Sequence, residues 1–208
     1  MRNGTFVTFR NFSAIPREVL EGLSVTYAQV FSESPWNETW TQSAVVEKLA
    51  RELNAEDSFL TVMRGDDTYH IGGFCWGAVV PVRDIRDRVC AVRELTPQDI
   101  ACLEAMVKKL RASKVLYVDE LAIAVSFRGG IGGIFLLSLP FLRLAVKRRL
   151  GVLCWSTEES RISPILRGYK FKVIGETGRT QFFWISGEKT KALLVLVEAF
   201  AAALPQQK

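Results

Sequence analysis

The sequence carries a single histidine, His70, in 208 residues. That argues against Ser-His-Asp and Cys-His nucleophilic chemistry, which needs a histidine base held against its nucleophile. It also removes the usual nitrogen ligands of a metal site, and no ligand spacing replaces them. Cysteine is scarce as well: Cys75, Cys90, Cys102 and Cys154 form no CxxC pair. They read as buried free thiols of a protein kept in a reducing cytoplasm, not as a disulfide framework. No apolar run reaches the ~20 residues that a membrane helix needs. The longest, Ile131 to Val146, is broken by Pro140 and Arg143 and reads as a buried helix. The opening MRNGTFVTFRNF has no apolar h-region of the kind a secretory signal requires. Repeats, low-complexity tracts and long linkers are missing, so residues 1–208 are expected to form one domain.

What is present is ordinary globular material. The chain is 49% hydrophobic and 24% charged, enough to build a sizeable core. Its net charge is +5, with basic residues scattered except at Lys147-Arg148-Arg149. That run reads as a solvated helix end complementing the helix dipole. The charge alone would permit nucleic-acid binding, but no aromatic-basic recognition motif accompanies it. An anionic small ligand accounts for the charge equally well.

Periodicity assigns the elements. GTFVTFRNF alternates as a strand, and Pro16 opens a helix over PREVLEGLSVTYAQVF. Thr41 caps a second helix whose apolar residues Val45, Val46, Leu49 and Leu53 recur at helical spacing. Residues 59–64 and 70–80 form a hairpin around GDD, and residues 81–95 resist assignment. Thr96-Pro97 open a helix with an apolar stripe of Ile100, Leu103, Val107 and Leu110. A strand over 114–125, a glycine cluster, a helix over 131–149 and the strand VLCWST follow. A weak helix interrupted at Ser163-Pro164, a second hairpin and a terminal helix complete the chain. The order β-α-α-β-β-α-β-α-β-α-β-β-α predicts an α/β fold with a mixed (α+β), mostly antiparallel central sheet and helices on both faces. Strand, glycines, helix and strand in the middle make a βαβ crossover.

The glycines of FRGGIGG, residues 127–133, need a physical reason, because glycine loses the most conformational entropy on folding. At a strand-to-helix turn, bare backbone N–H groups and the helix dipole stabilise an anion. Missing side chains let a phosphate approach closely, and Arg128 adds charge. A P-loop is excluded, since no Lys-Ser/Thr follows. A dinucleotide fingerprint starts at Gly130-Ile131-Gly132, but Phe135 stands where the third glycine belongs. A ligand-free turn is the other reading.

The run YVDELAIAVSFRGGIGGIFLL resembles the acyl-CoA-binding strand-turn-helix of the GNAT superfamily of N-acyltransferases. Leu121-Ala122-Ile123 matches the end of its apolar strand, and Arg128 with Gly130 and Gly132 matches its Arg/Gln-x-x-Gly-x-Gly/Ala turn with the spacing off by one residue. SPWNETWTQ, HIGGFCWGAVV and LRGYKFKVIGE, with Gly168-Tyr169 at the Gly-Phe/Tyr turn, extend the likeness along the chain. The resemblance implies a GNAT-like fold and direct acetyl transfer from acetyl-CoA, the co-substrate, to a primary amine, with no metal.

It also implies roles. Arg128, Gly129, Gly130, Ile131, Gly132 and Gly133 would cradle the coenzyme diphosphate. The backbone of Ile123, Ala124 and Val125 would meet the thioester oxygen, where a bulge frees donors. Glu120 would accept the amine proton, while Asp119 points to the opposite sheet face by strand alternation. Thr157 would approach the coenzyme arm, or simply cap the next helix. Trp36 and Trp40 would line an acceptor pocket or pack in the core, and Trp76 would lie on the sheet face against the acceptor. Trp155, Trp184 and Tyr169 are expected in the core. The tyrosine that relatives carry as acid is absent: Pro164 holds its place. A non-catalytic acyl-CoA-binding module on the same fold is therefore the alternative. Edge strands and the apolar C-terminal helix would support a homodimer.

Overall fold

A computed structural model describes residues 5–55, 57–65, 70–91, 95–128 and 132–203. Seven strands share one sheet in the order β1-β2-β3-β4-β5-β7-β6. The chain divides into two compact units, Met1–Ala78 with Asp119–Leu144 and Leu194–Lys208, and Val79–Val118 with Ala145–Leu193.

The first unit begins with β1 (Thr5–Phe9), α1 (Arg17–Phe31), α2 (Gln42–Leu53), β2 (Ser58–Arg64) and β3 (Ile71–Pro81) as far as Ala78. The three strands are antiparallel neighbours, with Phe9 opposite Leu60 and Leu60 opposite Trp76. α1 turns Val19, Leu23, Tyr27, Val30 and Phe31 inward, and α2 turns Val45, Leu49 and Leu53 inward, against Phe74 and Trp76 of β3. Each large apolar side chain removed from water contributes about 1.5–3 kcal/mol, so this stripe-on-sheet packing is what makes the two helices fold. The Thr41 hydroxyl accepts from the Ala44 N–H at 3.2 Å, so the predicted cap is present. Val46, expected on the buried stripe, is only half-buried. β4 (Lys114–Ile123) enters this unit at Asp119, and α5 (Gly132–Lys147) follows it. α5 is tied to the unit by Phe141 stacking on Phe59 at 5.6 Å.

The second unit holds β5 (Val152–Thr157), α6 (Ile162–Gly168), β6 (Lys172–Thr177) and β7 (Thr180–Ile185), with α7 (Gly187–Ala203) leaving it at Leu193. β7 lies antiparallel between β5 and β6. β5 runs parallel to β4 through Leu116–Val152 and Tyr117–Leu153, the signature of the predicted crossover. Residues 81–95, unassigned above, contain a 3-10 turn and α3 (Ile85–Cys90), which buries only Ile85 and Val89. α4 (Pro97–Lys109) starts with a full capping box between Thr96 and Asp99.

Several expectations are corrected. Ser163-Pro164 does not interrupt α6 but lies in its first turn, where proline has no intrahelical N–H to lose. Tyr169, Trp155 and Trp184 are half-buried, and Phe171 occupies the buried place beyond α6. Beyond α6, Lys170 takes the left-handed conformation, with φ 66°. Cys75 is buried, whereas Cys90, Cys102 and Cys154 are partly exposed. Among the described residues no helix is long and apolar enough to cross a membrane. The hairpin turn at Asp66 and Asp67 lies outside the described residues.

Candidate active site

β4 ends at Ile123, and the chain then makes a 3-10 turn over Val125–Phe127. The Ala124 N–H donates to the Gly72 carbonyl at 2.9 Å, so the turn is stitched to the start of β3. The Phe127 ring lies directly over Gly72, where a Cβ would stand 2.6 Å from Cδ1. Glycine at 72 is therefore demanded by the ring. Alongside runs a groove of about 830 Å³. α1 supplies Gly22, Thr26, Gln29 and Glu33 to one wall, and Ala124, Val125 and Ser126 form the other. Thr26 holds α1 in place by donating to the Ile71 carbonyl at 2.8 Å. Val125 is 60% exposed, and its carbonyl accepts from the Arg128 N–H at 3.1 Å.

Arg128 follows the turn but folds back on it. Its Nε donates to the Ile123 carbonyl at 2.8 Å, and its Nη1 reaches the Glu33 carboxylate at 2.7 Å. Gly129, Gly130 and Ile131 lie outside the described residues. Gly132 is the first residue of α5. At Gly133 a Cβ would meet Ile123 Cδ1 at 2.9 Å, the flexible end of a side chain that can move aside.

Deeper in the same unit lies a polar cluster inside the aromatic core. Glu120 is 6% exposed, on β4. The Tyr27 hydroxyl donates to its Oε1 at 3.2 Å, and Lys48 Nζ stands 3.3 Å from the same atom. Lys48 also donates to Glu52 Oε1 at 2.9 Å. Glu52 Oε2 accepts from the Trp76 indole at 2.8 Å. Burial pushes the Glu120 carboxyl up to about 7; Lys48 opposes the rise, and the charges of Glu52 and Asp119 add to it. Burial works against the charge of Lys48, but Glu120 and Glu52 outweigh it and raise its pKa. Tyr27 is raised too, by burial first and by the carboxylates of Glu120, Glu38 and Glu52 next. Two carboxylates around one ammonium leave one excess negative charge. A proton on Glu120 cancels it, so its affinity for a proton sits near neutrality.

The predicted residues thus separate. Ala124 and Val125 line the groove, whereas Glu120 does not. Along an extended strand, four residues span about 13 Å, which is the backbone distance from Glu120 to Ala124. Trp36 and Trp40 are half-buried and pack against the core. The Trp40 indole donates to Glu38 at 2.7 Å, and its ring lies edge-on to Tyr27 at 5.2 Å. Trp76, expected against the acceptor, is fully buried, and its indole is committed to Glu52. Thr157, in the second unit, is 7% exposed, and its Oγ1 has no hydrogen-bond partner among the described residues. It does not cap α6, whose first turn has no side-chain cap. Tyr27, Lys48 and Glu52 were missed. The signal was available: Val45, Lys48, Leu49, Glu52 and Leu53 share one helical face, so two charged residues interrupt the apolar stripe of α2.

No protein-family model and no curated protein sequence matches the chain. Solved structures do. The PaiA N-acetyltransferase from Thermoplasma acidophilum, in complex with coenzyme A, aligns with a TM-score of 0.55 at 10% identity, over 88% of this chain and 99% of that one. Arylalkylamine N-acetyltransferase 2 from Aedes aegypti aligns with a TM-score of 0.56 at 11% identity, over 88% and 99%. NAA60 from Arabidopsis thaliana, in complex with a bisubstrate analogue, gives 0.52 at 13% identity, over 88% and 98%. The chain has the fold of the GNAT N-acyltransferases.

Proposed function

We propose that the chain is an acyl-CoA-dependent N-acyltransferase that moves an acetyl group from acetyl-CoA to a primary amine by direct attack on the thioester. One observation carries the reading: on the fold of the N-acyltransferases, β4 bears a buried carboxyl whose proton affinity lies near neutrality. A lysine-like amine has a pKa of about 10.4 and must lose a proton before it attacks. Glu120 takes that proton; because it lies outside the groove, the proton reaches it along a chain of water molecules. The amine nitrogen bonds to the acyl carbon and the carbon–sulfur bond breaks. The coenzyme leaves as thiolate and takes its proton from solvent, because Pro164 stands where a tyrosine acid would be. The oxyanion needs a backbone donor. Since Ala124 already donates to Gly72, Ile123 and Val125 are the candidates. The diphosphate lies at the turn from Arg128 to Gly133, against the N-terminus of α5. Arg128 must exchange Glu33 for phosphate to join it.

A second reading, a non-catalytic acyl-CoA-binding module, is favoured by one feature. Glu120 lies outside the groove, and its contacts are satisfied within the core. Thermal shift with acetyl-CoA tests both, since a hundredfold excess over Kd adds about 2.7 kcal/mol of stability. An unmoved midpoint removes both readings. A thiol-release screen over amines then separates them: turnover that falls in Glu120→Gln supports catalysis, and turnover unchanged in that variant removes Glu120 as base.

A further inference from the structure

We propose that Lys48 and Glu52, one turn apart on α2, are positioning residues that set, in opposite directions, whether Glu120 holds a proton. The inference rests on the proposed role of Glu120 for its consequence but not for its test. Three observations carry it. First, Lys48 Nζ is shared, 2.9 Å from Glu52 Oε1 and 3.3 Å from Glu120 Oε1. Second, all three side chains are closed off from water, at 8%, 6% and 6% exposure, so solvent screens little of their interaction. Third, Glu52 is itself fixed. The Trp76 indole donates to its other oxygen at 2.8 Å, and Arg51 approaches it at 3.9 Å from the exposed side.

A buried carboxylate with one cationic neighbour is stabilised in its charged form, and a second carboxylate on that cation competes for the stabilisation. Lys48 therefore draws the proton off Glu120, and Glu52 puts it back. Tyr27 from α1 donates to Glu120, and Asp119 on β4 repels its charge. Tyr27 also feels the charge of Glu52, but its raised pKa keeps it a donor throughout, so the two α2 residues are the adjustable part. The pairing is also specific to this geometry. A lysine and a glutamate four apart on an exposed helix would contribute only a few tenths of a kcal/mol and would touch no third group.

The test is a carboxyl titration of the full chain by carbon-detected NMR, with the Glu120 signal identified by its loss in Glu120→Gln. Lys48→Met should raise the Glu120 midpoint by about one pH unit or more, and Glu52→Gln should lower it. Glutamine at 52 keeps a carbonyl for the Trp76 indole, so that variant remains informative where Lys48→Met fails to fold. Lys48→Arg should return the midpoint towards wild type. A merely structural role moves stability but not these midpoints in opposite directions. Unmoved midpoints, or two that move the same way, overturn the proposal. The pH dependence of kcat/KM for an amine acceptor is the second readout. Its acidic limb should follow the midpoint, a tenfold change in rate per pH unit on that limb. Midpoints that move while the limb stays fixed uphold the tuning by Lys48 and Glu52 and remove Glu120 as the base.

Discussion

Replacing Glu120 with glutamine makes the energetic weight of the buried carboxyl measurable. In the folded chain burial raises its pKa from 4.5 to about 7. Each pKa unit corresponds to about 1.4 kcal/mol, so the folded state holds this proton more tightly than the unfolded chain by about 3 kcal/mol. Because the folded value is the higher one, the stabilisation is fully present below pH 4.5 and is lost as pH rises through about 7. Exposure of only 6% means that solvent does little to reduce it. Lys48 does not mask the effect: its folded pKa is raised from 10.5, so its contribution stays constant across the acidic and neutral range. Glutamine preserves the size of the side chain and an acceptor for the Tyr27 hydroxyl, and it does not titrate. Urea denaturation of both proteins from pH 4.5 to 8 should show wild type losing about 3 kcal/mol relative to the variant. In thermal melts that corresponds to roughly 6–12 °C for a chain of this size. A difference between the two proteins that does not change with pH would refute the reasoning.

Thr157→Val removes a buried hydroxyl that has no partner among the described residues, so the free protein should gain about 1 kcal/mol in denaturation. If Thr157 serves the coenzyme, the same variant should lose affinity for acetyl-CoA by calorimetry. Gly151→Ala would drive a Cβ into the Trp184 ring and to 2.7 Å from the Ile185 carbonyl, so it should destabilise the fold by about 3 kcal/mol or more in the same assay. Glu33→Gln frees Arg128 from a partly exposed pair, worth up to about 1 kcal/mol, and should tighten acetyl-CoA binding by as much as about fivefold. Unchanged affinity in that variant would mean that Arg128 takes no part in holding the diphosphate.

The order of elements was legible because most of them announce themselves locally. Thr41 and Thr96 sit where caps belong, and the apolar spacing marks α2 and α4 as helices, although Val46, Ile100 and Val107 are only half-buried and Met106 takes a core place outside the expected stripe. α3 was not legible: six residues, four of them charged or cysteine, give too short a pattern, and only its burial of Ile85 and Val89 defines it. The groove was half legible. Ala124 and Val125 were named from the strand end, but its other wall comes from α1, and nothing in the local sequence of α1 says which strand it crosses. Gly72, outside the glycine cluster, is required by the Phe127 ring, a close contact made by a residue distant in sequence. Trp76 reads as a sheet-face residue against the acceptor, yet β3 is buried along nearly its whole length, so neither of its faces is open there.

The contact between Phe127 and Gly72 has a mechanical consequence. The short turn that walls the groove is fastened at both ends to the same glycine, by the Ala124 amide at one end and the aromatic ring at the other. A segment held twice within four residues resists swinging outwards. Displacing α1 instead would disturb its packing through Val19, Leu23, Tyr27, Val30 and Phe31 as well as the Thr26 hydroxyl on the Ile71 carbonyl, so both walls of the cavity are held.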